Sequence, residues 1–113
     1  MSGAAGRVLI KGNEAVAFGA ADAGCRCYFG YPITPQNEIP ETMARLLPAA
    51  GGCYVQAESE VAAASMLLGA CAAGIPSMTS SAGCGISLMQ EALSYLQEKA
   101  VELVRTVHAA RNQ

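Results

Sequence analysis

The segments "GAADAG" at 19–24 and "GACAAG" at 69–74 each close an alanine-rich stretch and lead straight into an apolar run. This repeated order of helix, glycine stop and strand confines the chain to a layered α/β fold, because strands separated by helical stretches pair in parallel through right-handed crossovers. The spacing predicts a helix over about residues 14–23, preceded by the apolar run "RVLI", with Asn13 as N-cap and Gly24 as a left-handed stop. "CRCYFGYP", "CYVQAE" and "PSMTSS" read as extended runs, and Ser59 caps the helix "SEVAAASMLLGACAAG", which Gly74 ends. A helix begins near Pro35 with Thr34 as cap, and Pro40 either restarts it or kinks it at Ile39. A long helix from Ile86 closes the chain. The expected architecture is a three-layer parallel sheet with helices on both faces.

At 113 residues the chain suits one domain, and with 5% aromatic residues and no tryptophan its core must be built from small aliphatic side chains and methionine. Met66, Met78 and Met89 are expected as core fillers. A formal net charge of −2 offers no footprint for nucleic acid or anionic lipid. Neither a membrane span nor a secretion signal is legible, so no membrane partner and a cytoplasmic location are expected. The five cysteines, at 25, 27, 53, 71 and 84, form no C-x-x-C pair. They read as ordinary thiols in a reducing compartment, with no metal site on this chain. The single histidine, His108, lies near the C-terminus and reads as a solvated residue rather than a base.

Ligands in parallel sheets collect at the carboxyl ends of the strands, where "GYPITP", "AESE" and "TSSAGCG" all fall. Glu60 opens a helix there. It is either a helix-start acid, stabilised by the macrodipole by about 0.3–1 kcal/mol, or a functional carboxylate; Glu58 is a weaker candidate. "TSSAGCGISL" brings hydroxyls and two glycines to a helix start, which serves either as a cradle for a polar ligand or as a plain turn. It lacks the third glycine of a dinucleotide fingerprint, and the chain has no P-loop and no nucleophile elbow.

The stretches "KGNEAVAFGAADAGCRCYFGYPITPQNEIPETMARLLP", "YVQAESEVAAASMLLGACAAG" and "MTSSAGCGISLMQEALSYL" resemble the alpha subunit of 2-oxoacid:ferredoxin oxidoreductases, above all the branched-chain, 2-oxoisovalerate type. The likeness runs from about Arg7 to Leu96, and "GYPITPQNEIPE" followed by "QAESE" is its most specific part. It implies a partial thiamine diphosphate-binding fold, the N-terminal part of the pyrimidine module. By that resemblance Glu60 is the acid that shares a proton with the aminopyrimidine ring, and Thr34, flanked by Pro32 and Pro35, meets the substrate carboxylate. The two prolines then hold the threonine hydroxyl in one direction. Tyr31, Ser81, Gly83 and Gly85 are the further cofactor-binding candidates.

The likeness also implies partners: beta and gamma or delta subunits, ferredoxin, a 2-oxoacid and coenzyme A, in a heteromeric complex. Mg²⁺, the iron-sulfur clusters and the coenzyme A contacts are expected on those other chains, since no G-D-G-type diphosphate motif is present here. After Leu96 the pattern departs from the family. Residues 1–96 are read as the pyrimidine-binding module and 97–113 as a divergent helical extension, and Cys84 stands where proline or a small turn residue is expected. The alternative reading is a non-catalytic assembly or remnant domain that binds another subunit.

Overall fold

The computed structural model describes residues 9–98. Its elements alternate as α1 (Gly12–Asp22), β1 (Cys27–Gly30), α2 (Glu38–Ala49), β2 (Cys53–Gln56), α3 (Glu60–Ala72), β3 (Ser77–Met78) and α4 (Cys84–Leu88). A further helical stretch, α5, spans residues 90–98. The three strands pair in parallel in the order β2-β1-β3, with Cys27 opposite Cys53 and Ser77, and Tyr28 opposite Tyr54 and Met78.

Side chains alternate across a strand, so neighbours in β1 serve opposite layers. Tyr28 is fully buried among Ala17 of α1 and Ile39, Met43 and Leu47 of α2, with Tyr54 and Met78 alongside. Ile39, Met43 and Leu47 recur every four residues and make one stripe of α2, each side chain contributing about 1.5–3 kcal/mol on full burial. Tyr28 and Tyr54 stack with ring centroids 5.6 Å apart and planes 4° from parallel. Phe29 turns the other way and packs against Ala57, Ala63, Ala64 and Met89. The alanine side chains let α3 lie close to the sheet, and the two layers of helices enclose it on both faces as expected.

Several local expectations are corrected. The N-cap of α1 is Lys11, not Asn13, and its backbone N–H donates to Glu14 Oε1 at 3.3 Å. Asn13 is thereby free to reach across to the β1–α2 corner. Thr34 and Pro35 precede α2, lying in a turn joined by a cis peptide bond, and Asn37 is the residue before the first helical turn. The helix therefore starts once. Pro40 is its third residue, where a backbone N–H would have no intrahelical partner and its loss costs nothing. The final helix is not continuous from Ile86: α4 ends at Leu88, and Met89 separates it from α5. Met89 is buried and Met78 packs on the core, but Met66 is 39% exposed because α3 turns Ala63, Ala64 and Leu67 inward instead. Leu9 and Ile10 are not in a strand. The rest of "RVLI", His108 and nearly all of the 97–113 extension fall outside the described residues. No described helix is long and apolar enough to cross a membrane.

Candidate active site at the carboxyl edge of the sheet

Parallel pairing places the loops after β1, β2 and β3 on one edge of the sheet. The ladder extends into them, since the Ala57 N–H donates to Gly30 O at 2.7 Å. Gly30 itself is dictated by the core: a Cβ there would lie 2.5 Å from the Tyr28 ring and hydroxyl. The chain then runs out through Tyr31, Pro32, Thr34 and Pro35, all exposed.

Glu60 is the first residue of α3 and only 8% exposed. Capping is done by its neighbour: the Ala62 N–H donates to Ser59 Oγ at 3.0 Å. The helix start is thus satisfied without the glutamate side chain, which packs against the next loop. A Cβ at Gly85 would lie 3.1 Å from Glu60 Oε1 and 3.3 Å from its Cγ, and would collide with Ser81 Oγ. Glu60, Ser81 and Gly85 consequently form one packed group at the edge. Gly83, exposed and with φ at 56°, makes the turn that lets Gly85 approach. Glu58 points to solvent and takes no part.

Ser81 Oγ and Thr79 Oγ1 are buried and have no hydrogen-bond partner among the described residues. A buried unpaired hydroxyl costs about 1–3 kcal/mol, and the one on Ser81, in the group with Glu60 and Gly85, is available to a polar ligand. An aminopyrimidine carries ring-nitrogen acceptors and an exocyclic amine, and a buried carboxylate beside the Ser81 hydroxyl suits both. The residues present fit the pyrimidine part of thiamine diphosphate.

A second polar group underlies the corner. The Tyr28 hydroxyl bonds Ser80 Oγ at 2.8 Å, Ser80 Oγ donates to Gln36 Oε1, and Gln36 Nε2 donates to Ile33 O at 3.3 Å. With Tyr28 and Gln36 both buried, this chain fixes the turn around Thr34 to the sheet from below. Burial pushes the Tyr28 phenol up, so it stays protonated. At the corner's flank, Asn13 Nδ2 donates to Pro35 O at 3.0 Å and to Glu38 Oε1 at 2.7 Å, and Lys11 Nζ lies 3.6 Å from Glu38 Oε2. The Asn13 amide, with help from Lys11, holds the Glu38 carboxyl below its ordinary range. Sequence reasoning singled out neither Gln36 nor Ser80, and gave Asn13 only a capping role. The run "TSS" and the glutamine directly after the prolines were the available signals.

A parallel sheet whose carboxyl edge carries a buried helix-start glutamate, a proline-framed threonine and unpaired hydroxyls defines a cofactor-binding α/β module. Residues 18–111 match the family described as pyruvate flavodoxin/ferredoxin oxidoreductase, thiamine diP-bdg, and the chain belongs to that family. It is 57% identical over 88 residues to the ketoisovalerate oxidoreductase subunit VorB of Methanothermobacter thermautotrophicus, covering 78% of this chain and 25% of that one. It is 52% identical over 87 residues to the 2-oxoglutarate synthase subunit KorA of Archaeoglobus fulgidus, covering 77% and 25%. Among solved structures, a 2-oxoglutarate:ferredoxin oxidoreductase from Magnetococcus marinus, with 2-oxoglutarate, coenzyme A and succinyl-CoA bound, matches with a TM-score of 0.70 at 44% identity, over 71% of this chain and 14% of that one. The chain spans about a quarter of the length of the curated relatives it matches.

Proposed function

We propose that this chain supplies the pyrimidine-binding part of a thiamine diphosphate site in a heteromeric 2-oxoacid:ferredoxin oxidoreductase, the complex that oxidatively decarboxylates a 2-oxoacid to its acyl-CoA and reduces ferredoxin. The observation that carries this reading is the burial of Glu60 against Gly85 and the unpaired Ser81 hydroxyl, at the edge that also bears Thr34. Bound thiamine diphosphate supplies the nucleophilic carbon and the electron sink for decarboxylation.

This chain's own residues bind and orient. Glu60 holds and passes a proton at the pyrimidine ring nitrogen, which a caging helix start and low exposure keep out of competition with water. Ser81 meets the ring's polar edge, Gly85 allows the close approach, and Tyr31 opens the loop after β1 that carries Thr34. Thr34 presents its hydroxyl to the substrate carboxylate, with Pro32 and Pro35 restricting the backbone around it. A branched 2-oxoacid leads as substrate because VorB gives the highest identity quoted above, and 2-oxoglutarate and pyruvate follow. The diphosphate with Mg²⁺, the iron-sulfur clusters and the coenzyme A contacts fall to partner chains, so the isolated chain is inactive.

Co-expression with the beta and gamma or delta subunits tests this. The purified complex binds thiamine diphosphate in calorimetric titration and reduces a viologen with 2-oxoisovalerate and coenzyme A. A complex that assembles but neither binds cofactor nor responds to Glu60→Ala would establish a non-catalytic assembly domain instead.

A further inference from the structure

At the end of the sheet opposite Glu60 lies a cavity of about 420 Å³, lined by Arg26, Cys27, Gly51, Gly52, Cys53 and the 74–76 turn. Two of its lining residues are thiols in direct register: Cys27 of β1 pairs with Cys53 of β2. Register partners on adjacent parallel strands sit about 4.8 Å apart and project to the same face. The Tyr28–Tyr54 stack one residue on shows that this register is tight, and it leaves both cysteines facing away from the tyrosines. Both are half-buried and unoxidised.

We propose that Cys27 and Cys53 form a two-thiol site for a soft, thiophilic metalloid, specifically a trivalent arsenical. Cys25 and Cys27 are the competing pair, but the Cys25 thiol is engaged with Cys27 O at 3.4 Å and packs toward the α1–α2 core. Cys71 and Cys84 lie on other elements and are exposed. Hydrogen bonding with the Cys27 thiol, followed by burial, pushes the Cys53 thiol up to about 11, which agrees with the two sulfurs lying side by side. The Cys53 thiol therefore reacts slowly with single-site alkylators, which need a thiolate. A reagent that engages both gains from their proximity, because the second bond is intramolecular. With phenylarsine oxide the step balances without redox change: two S–H bonds and one As=O bond are lost, two As–S bonds form, and one water leaves.

The site does not depend on the proposed function, and the purified chain is sufficient to test it. The chain is kept reduced, titrated with phenylarsine oxide, then alkylated beside an untreated sample for long enough that all five thiols of the untreated chain react, digested and mapped by mass spectrometry. One arsenical binds per chain, the free thiols fall from five to three, and Cys27 and Cys53 are the two protected from alkylation. Cys27→Ser and Cys53→Ser each weaken binding at least tenfold, whereas Cys71→Ser and Cys84→Ser leave it unchanged. Protection of Cys25 with Cys27, or binding that survives Cys53→Ser, overturns the proposal, as does a wild-type chain that keeps five free thiols. The wild-type map decides the matter even if a serine variant fails to fold.

Discussion

Gly85 lies so close to Glu60 that a methyl group at position 85 would stand 3.1 Å from the carboxylate oxygen and meet the Ser81 hydroxyl on its other side. The glycine is therefore needed for space. Within a helix, glycine to alanine gains about 1 kcal/mol of propensity, while overpacking a tight site costs about 1–3 kcal/mol. Overpacking dominates, and Gly85→Ala should lower the thermal midpoint of the chain and weaken thiamine diphosphate binding by the complex. A raised midpoint would mean that the glycine is only a helix defect.

Ser81 and Thr79 make the opposite prediction. Their buried hydroxyls lack partners among the described residues, and removing an unsatisfied group while keeping its volume relieves about 1 kcal/mol or more of desolvation cost. Ser81→Ala and Thr79→Val should each stabilise the isolated chain in urea unfolding by that amount. In the complex, Ser81→Ala should at the same time raise the dissociation constant for the cofactor. A stabilised variant with undiminished cofactor binding would separate the hydroxyl from the ligand.

The chain from Tyr28 through Ser80 to Gln36 gives an ordering of effects. Tyr28→Phe deletes one end, and Ser80 keeps its bond to Gln36, for a cost of about 1 kcal/mol. Ser80→Ala strands the Tyr28 hydroxyl and the Gln36 carbonyl together and should cost about 2–6 kcal/mol, since each orphaned buried group costs about 1–3. Thermal melts of the two variants measure the difference. Equal losses would show that the middle of the chain contributes no more than its end.

The helix–strand alternation was legible because glycine stops and Ser59 act locally: the same few residues that signal an end also make it. Glu60 was legible only with the resemblance, since a first-turn acid looks alike whether it caps or is buried, and burial depends on Gly85 and Ser81 arriving from another strand. The start of α2 was misread at Pro35 for a related reason. Proline suits a first turn and a preceding corner equally well, and the contacts that favour the corner, Asn13 with Pro35 and Ser80 with Gln36, join residues far apart in sequence whose pairing no local pattern reveals.

Alkaline pH should destabilise the fold in two stages. Cys25 and Cys53 are raised above the ordinary thiol value of 9.0, and Tyr28 and Tyr54 above 10.0, chiefly by burial except at Cys53, where Cys27 leads. Groups raised on folding favour the native state fully at lower pH, and that advantage disappears as the unfolded chain ionises first. Stability should be level up to about pH 9, decline as the thiols titrate toward 11, and fall further once the phenols join. Cys53→Ala should flatten the first decline when urea midpoints are followed from pH 8 to 11. An unchanged slope would remove Cys53 from the titration.

Glu60→Gln separates proton handling from packing. The amide preserves the shape of the side chain, so its contact with Gly85 survives, and the helix cap is made by Ser59 in either case. The variant should therefore fold and assemble with its partners, its thermal midpoint close to that of the wild type. A glutamine cannot pass a proton to a ring nitrogen, and general acid–base contributions of about 10² to 10⁴ in rate correspond to about 3–5 kcal/mol of barrier. Viologen reduction by the assembled complex should fall by that factor even at saturating thiamine diphosphate. Glu60→Ala should lose the same activity and also bind cofactor more weakly, because it empties the space beside Ser81. Turnover retained by a well-folded Glu60→Gln complex would assign the carboxylate to structure and shift the search for the proton-transferring group to another chain.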